Sequence, residues 1–103
     1  MDAGCGPGDY ALAASQYVTE SGRVHAVDLW EDGIDILNSK AEARSIDNLD
    51  AQIADITQHI PVADNEVDTV LMAAVLHDLL RDGGHEAAIE EVRRVLKRTG
   101  IFA

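Results

Sequence analysis

The chain has 103 residues and a mass of 11.1 kDa, which corresponds to a single domain over residues 1–103 with one core. Hydrophobic residues make up 47% and aromatic residues only 4%, so the composition predicts an aliphatic globular core and argues against disorder. The formal net charge of −11 disfavours a nucleic-acid partner and favours a cationic ligand.

Cysteine usage and hydropathy exclude several further classes of protein. The single cysteine, Cys5, cannot form an internal disulfide, and no residue spacing indicates a metal site. No apolar run reaches the roughly 18 residues that a membrane span requires. The first residues, MDAGCGPG, lack the basic and apolar regions of a signal peptide. We therefore expect a cytoplasmic protein with neither a membrane partner nor a metal.

The first half of the chain alternates helical and strand patterns. After a glycine-rich start, residues 9–20 have helical spacing, and Gly22 follows as a cap. The predicted apolar stripe of this helix comprises Tyr10, Ala13, Ala14, Tyr17 and Val18. Residues 23–28 predict a strand, and residues 31–44 predict a second helix with Ile34, Leu37 and Ala41 on one face.

The second half of the chain continues the alternation. Residues 51–55 predict a weak strand, and the apolar run over residues 67–74 predicts a strand that is buried on both faces. Residues 85–98 predict the clearest helix, with Gly100 as its cap and residues 100–103 beginning another strand. The basic residues near the end of this helix are interpreted as a solvated face that complements the helix dipole: Arg93, Arg94, Lys97 and Arg98.

This order of elements predicts an α/β fold with helices on both faces of a mainly parallel sheet. Ligands of such sheets bind beyond the carboxyl ends of the strands, near the point where the strand order reverses. The candidate ligand loop is DAGCGPG, in which Gly4, Gly6 and Gly8 alternate with other residues just before a helix. Glycine accepts positive φ and allows a ligand to approach the backbone closely.

Two classes of cofactor are compatible with this loop. Residues 6–11, GPGDYA, satisfy the dinucleotide fingerprint G-x-G-x-x-G/A, with Asp28 at a suitable distance, and so allow a fragment of an NAD-binding oxidoreductase. Asp2, however, would oppose a pyrophosphate, whereas a carboxylate there suits an ammonium group. Trp30 follows Asp28 closely and could either cover an adenine or cap the edge of the sheet.

The sequence D-A-G-C-G-P-G resembles the first signature of class I S-adenosylmethionine-dependent methyltransferases, and in particular the type-11 methyltransferase domain. VHAVDLWEDGIDILNSKA resembles the second strand and helix of that family, and QIADITQHIPVADNEVDTVLMAAVLHDL resembles its third and fourth strands. AIEEVRRVLKRTGIFA resembles the helix and fifth strand that follow. The resemblance implies a Rossmann-like three-layer sandwich, S-adenosylmethionine as cofactor and methyl transfer as activity.

The resemblance also implies a role for individual residues. Asp2, Ala3, Gly4, Cys5, Gly6 and Gly8 would surround the methionine part of the cofactor. Asp28 would accept hydrogen bonds from the ribose hydroxyls beside Leu29, and Asp55 would accept from the adenine amino group beside Ile56. Ala73 and Ala74 would lie near the methionine. Asp28 and Asp55 have a simpler alternative as turn or capping residues.

The transfer itself is a displacement at a methyl carbon, so the protein mainly supplies position and electrostatics. A general base is required only where the acceptor must lose a proton. His77 is the candidate for that role, because it follows the fourth strand and an unperturbed histidine titrates near pH ~6.5. A histidine in a surface helical turn is the alternative. Cys5 is interpreted as a small packing residue.

The chain departs from the family at both ends. Met1 stands directly before Asp2, and the fifth strand stops at Ala103, so we expect a truncated version of the seven-stranded fold. Such a chain could be the core of a larger enzyme that acts on a small-molecule acceptor, a homodimer paired through exposed sheet edges, or a non-catalytic cofactor-binding remnant. The identity of the acceptor does not follow from the sequence.

Overall fold

The computed structural model describes residues 1–18, 21–73 and 75–103, which form five strands and four helices. In chain order these elements are β1 (Asp2–Ala3), α1 (Asp9–Tyr17), β2 (Val24–Asp28), α2 (Glu31–Ala43), β3 (Leu49–Ile53), β4 (Val67–Val70), α3 (Leu76–Asp82), α4 (His85–Val95) and β5 (Leu96–Phe102). None of the helices in these ranges is long and apolar enough to span a membrane.

The strands form parallel pairs in the order β3-β2-β1 and β4-β5. A bridge between Asp2 and Leu71 joins the two groups, with Ala3 N donating to Leu71 O (2.9 Å) and Leu71 N donating to Met1 O (2.8 Å). The resulting order, β3-β2-β1-β4-β5, reverses direction at β1, which is therefore the switch point. This arrangement confirms the predicted Rossmann-like α/β class. Strands β3 and β5 are the outer strands of this order, and pairing of two copies through them stays one of the three alternatives.

Two clusters of buried side chains complete a three-layer arrangement. One cluster contains residues of α1, α2 and β2, including Leu12, Val24 and Leu37. The other contains α4 residues such as Val92 together with Val70. Alternate residues of β2 contribute to the two clusters, because successive side chains of a strand point to opposite faces. Helices therefore cover both faces of the sheet.

The buried face of α1 differs from the prediction. Ala11, Leu12 and Ser15 are buried, whereas Tyr10 and Tyr17 are 62% and 85% exposed. Ala11, Leu12 and Ser15 form a second stripe with helical spacing, and this stripe, which has the smaller side chains, lies against the sheet. The helix ends at Tyr17 and is capped by Val18 rather than Gly22. The last two residues of the predicted helix, 19 and 20, lie outside the described residues.

Three strand boundaries also differ from the prediction. Strand β3 begins at Leu49 rather than residue 51, because Leu49 pairs with Val24 of β2. Strand β4 ends at Val70, and the predicted final residue of that strand, Ala74, lies outside the described residues. Near the C-terminus, α4 ends at Val95 rather than at residue 98, because β5 begins at Leu96, which pairs with Val67 of β4. Gly100 therefore lies within β5 and is not a helix cap.

Helix α3 was not predicted. It has only seven residues and none of them is fully buried. Leu76, Leu79 and Leu80 have helical spacing, and Leu76 and Leu79 pack against the core, but a stripe of two turns is too short to predict a helix by periodicity. Gly83, which has a φ of 84°, ends the helix, and Gly84 begins α4.

Arg94 is not part of a solvated face, as had been expected. Its guanidinium is 25% exposed and donates to both carboxylate oxygens of Glu91, each at 2.8 Å. It also donates to the backbone oxygens of Ile60 and Val62 and to the carboxylate of Asp64. Ile60 N in turn donates to Glu91 (2.7 Å). The pair therefore attaches the loop before β4 to helix α4.

Replacing Arg94 with Ala should lower the free energy of unfolding by about 1.5–3 kcal/mol, because hydrogen bonds between charged groups are lost and Glu91 loses its cation. Urea denaturation measures the change. The control is Arg93→Ala, since Arg93 is the exposed neighbour on the same helix and should change stability by no more than about 0.5 kcal/mol. Equal losses in the two variants would contradict this role of Arg94.

The same pair predicts a dependence of stability on pH. Hydrogen bonds from Arg94 lower the pKa of Glu91 from 4.5 to about 2. Stability from the charged carboxylate is therefore fully present above pH 4.5 and is lost as the pH falls towards 2. The difference in unfolding free energy between the wild type and Glu91→Gln should shrink over this interval in a urea titration. A difference that stays constant with pH would exclude Glu91 as the source.

Candidate functional site

The glycine loop connects β1 to α1 and continues the ladder between β1 and β2. The N–H groups of Gly4 and Cys5 both donate to Val27 O, at 2.8 and 3.0 Å, and Gly8 N donates to Cys5 O (3.0 Å). Gly4, Gly6 and Gly8 have φ angles of 82°, 55° and 88°. Because this left-handed region disfavours residues with a Cβ, the alternating glycines follow from the path of the backbone.

The surroundings distinguish the middle glycine from the other two. A Cβ at Gly4 would lie 2.8 Å from Cβ of Val75, and a Cβ at Gly8 would overlap the side chain of Leu37. A Cβ at Gly6 would meet no atom within 4 Å. Gly4 and Gly8 are therefore packed against the chain, whereas Gly6 presents an open backbone face that a ligand can approach.

Asp28 is placed at the carboxyl end of β2, beside this open face. Its Oδ2 accepts from Gly6 N and its Oδ1 accepts from Trp30 N, both at 2.8 Å. The carboxylate therefore joins the glycine loop to the start of α2. Each oxygen of a carboxylate can accept more than one hydrogen bond, so Asp28 retains capacity to accept from a ligand.

Asp55 follows β3, the next strand of the sheet. Its Oδ1 accepts from the backbone N (2.9 Å) and the hydroxyl (2.6 Å) of Thr57, and its backbone oxygen accepts from the N–H groups of residues 58 and 59. These bonds match the alternative in which Asp55 caps a turn. They hold the side chain at the carboxyl edge of the sheet.

A cavity of about 310 Å³ lies at this edge of the sheet. Five of the predicted site residues line it: Gly4, Asp28, Leu29, Asp55 and Ile56. Its other side is formed by Val75, Leu79 and Gly84, which the sequence pattern did not indicate as site residues. The Gly83–Gly84 pair is the signal that could have identified this side, because it marks a sharp turn between two helices.

The remaining predicted cofactor residues do not line this cavity. Gly6 donates its N–H to Asp28, which lines the cavity, while Ala3, Cys5 and Gly8 are buried in the core and Ala73 follows β4. Burial raises the pKa of the Cys5 thiol to about 12, which is consistent with a packing role. The predicted contact of Ala74 lies outside the described residues.

Asp2 lies in the wall of a second cavity, which has a volume of about 940 Å³. This cavity borders the first residues of β2 and β4, together with Tyr10 on the exposed side of α1. It therefore lies away from the carboxyl edge at which ligands of parallel sheets bind. Asp2 is 4% exposed, its Oδ2 has no hydrogen-bond partner among the described residues, and burial raises its pKa to about 6.

His77 is exposed on the first turn of α3. It is not among the residues that line the smaller cavity, although Val75 and Leu79 on either side of it are. Asp78 forms an ion pair with Arg81 (3.3 Å). His77 therefore lies outside the cavity, and its position matches the alternative of a histidine in a surface helical turn.

Comparison with known proteins identifies relatives of the whole chain. A family model described as a methyltransferase domain matches residues 1–100. A demethylmenaquinone methyltransferase of Staphylococcus aureus is 29% identical over 101 residues, which cover 98% of this chain and 39% of that protein. The chain thus spans about two fifths of the length of the curated relatives that it matches.

Solved structures that are similar to this chain also include a methyltransferase. A SAM-dependent methyltransferase from Aquifex aeolicus is 31% identical, with a TM-score of 0.84 over 93% of this chain and 49% of the other. The YcgJ protein from Bacillus subtilis is 29% identical, with a TM-score of 0.82 over 98% of this chain and 40% of the other. With its glycine loop, strand-end carboxylates and strand order, the chain belongs to the methyltransferase domain family, whose cofactor is S-adenosylmethionine.

Proposed function

We propose that this chain forms the cofactor-binding core of a methyltransferase that transfers the methyl group of S-adenosylmethionine to a small-molecule acceptor. The cavity lined by Gly4, Asp28 and Asp55, with Gly6 of the same loop hydrogen-bonded to Asp28, carries this proposal. Glycine backbone and two carboxylates on adjacent parallel strands fit a ligand with an extended shape, several hydroxyl or amino donors and a positive charge.

The residues of the cavity fit the parts of S-adenosylmethionine. Asp28 would accept from the ribose hydroxyls, Asp55 would accept from the adenine amino group through its Oδ2, and Leu29 and Ile56 would provide apolar contact. The loop at Gly6 would border the methionine part. When bound, this cofactor supplies an electrophilic methyl group on a positively charged sulfur. The two carboxylates favour binding of that positive charge.

The hydrogen bonds of the loop favour this cofactor over a dinucleotide. A pyrophosphate in the dinucleotide fingerprint is bound by backbone N–H groups of the loop and the helix start. Here the N–H groups of Gly4, Cys5, Gly6 and Gly8 all donate to acceptors within the chain.

Asp2 has a different role in this proposal from the one that the resemblance implies. It does not line the cavity, and the backbone N–H of Ala11 in α1 faces its carboxylate. We propose that Asp2 holds the start of α1 behind the glycine loop and acts on the cofactor only through the loop. An anion near the N-terminus of a helix is stabilising, because it complements the helix dipole.

A small-molecule acceptor is consistent with the net charge of −11 and with the relative named demethylmenaquinone methyltransferase. For an acceptor that must lose a proton, we propose His77 as the general base. Its position on α3 supports this role, because α3 borders the cavity through Leu79 and an acceptor would enter beside it.

Calorimetry with S-adenosylhomocysteine and with NAD tests the proposed function. We expect saturable binding of S-adenosylhomocysteine and no binding of NAD, because the loop N–H groups are already used within the chain. Saturable binding of NAD alone, or binding of neither ligand by the folded protein, would refute the proposal. Binding without methyl transfer to any acceptor would instead favour the non-catalytic alternative.

Asp28→Asn tests the contact with the ribose. The change removes the negative charge, and the dissociation constant for S-adenosylhomocysteine should rise roughly 10- to 100-fold, as expected for loss of charge-assisted hydrogen bonds. Asp35→Asn is the matched control, because Asp35 is exposed on α2 and the charge change is the same. Circular dichroism verifies that both variants are folded. Unchanged affinity in Asp28→Asn would assign Asp28 a structural role only.

A further inference from the structure

Gly33 lies in the first turn of α2, next to the cofactor loop. Its φ is outside the left-handed region that requires glycine, so the backbone conformation does not explain this residue. Glycine inside a helix is less favourable than alanine by about 1 kcal/mol. A packing reason is therefore needed for glycine at this position.

The neighbours of Gly33 provide that reason. A Cβ at this position would overlap Cε3 of Trp30 and would lie 3.0 Å from the backbone oxygen of Gly6. Gly33 is buried, while the side chain of Trp30 is half exposed. The absence of a side chain thus lets the indole ring and the glycine loop approach the helix together.

These contacts and those of Asp28 enclose the middle glycine of the loop. The N–H of Gly6 donates to Asp28 Oδ2, and the oxygen of Gly6 faces Gly33. Asp28 Oδ1 also accepts from the N–H of Trp30, whose ring lies against Gly33. The N–H of Gly6 is therefore bound by the end of β2, while its carbonyl lies against the first turn of α2.

We propose that Gly33 is a positioning residue for the cofactor: by leaving room for the Trp30 ring and the Gly6 carbonyl, it sets the position of the loop face that the cofactor approaches. This inference rests on the proposed function. It assigns Trp30 to the support of the loop, since its ring lies against Gly33 and it is not among the residues that line the cavity.

Trp30 also provides a direct readout, because it is the only tryptophan in the chain. In Gly33→Ala, the new methyl group would overlap the indole ring of Trp30, so the ring must move. Because one side of the ring is already exposed, we expect it to move towards solvent. We expect a shift of the fluorescence emission to longer wavelength in the absence of any ligand. An emission spectrum identical to that of the wild type would overturn the inferred packing of Trp30.

The same variant is tested for cofactor affinity by calorimetry with S-adenosylhomocysteine. We expect roughly tenfold weaker binding, because a small displacement of the glycine loop would disturb its contacts with the cofactor. Ser39→Ala on the exposed side of α2 is the control and should retain wild-type affinity and emission. Wild-type affinity in Gly33→Ala would overturn the inference while leaving the proposed function intact, whereas a wild type that does not bind would refute the proposed function itself.

If Gly33→Ala does not fold, the test uses two variants that lack the indole ring of Trp30. Trp30→Leu and the double variant Gly33→Ala/Trp30→Leu differ only by the methyl group that lies 3.0 Å from the Gly6 oxygen. We expect the double variant to bind S-adenosylhomocysteine several-fold more weakly than Trp30→Leu, since the loop is displaced without the ring. Equal affinities in this pair would overturn the inference.

Discussion

The carboxylate of Asp28 connects the three segments on which the candidate site depends. It stands at the end of β2 and accepts one hydrogen bond from the glycine loop and one from the start of α2. Hydrogen bonds to an ionised acceptor are stronger than those between neutral groups, so one side chain determines how closely loop and helix approach. Gly6 is thereby fixed beside Asp28, which lines the cavity.

The position of Asp28 depends in turn on a strand of only two residues. Strand β1 lies at the centre of the sheet, between β2 and the bridge to Leu71. Its ladder continues into the loop, where Gly4 and Cys5 donate to Val27 O. Because neighbouring parallel strands end at the same edge, Asp28 and Asp55 are brought beside the loop by strand pairing alone.

The order of the elements other than α3 and the two strand-end carboxylates could be predicted because both depend on local pattern. Asp28 and Asp55 stand at the ends of segments that the sequence pattern predicts as strands, 23–28 and 51–55. The buried face of α1 could not be chosen, since the stripes with Tyr10 and with Leu12 have the same spacing and only the sheet selects between them. Arg94 was misinterpreted for a similar reason, because its partners Ile60 and Val62 lie in a distant loop.

The class of ligand that the glycine motif binds could not be predicted from the motif alone. Alternating glycines fit two classes of cofactor, since both require a tight loop that a ligand can approach. In the fold, Gly4 and Gly8 are needed for packing against Val75 and Leu37, and only Gly6 faces open space. The N–H groups of Gly4, Cys5, Gly6 and Gly8 all donate within the chain, so they do not form the set of donors that a pyrophosphate requires. The motif becomes specific through the acceptors that surround it, and those acceptors favour a cationic ligand over an anionic one.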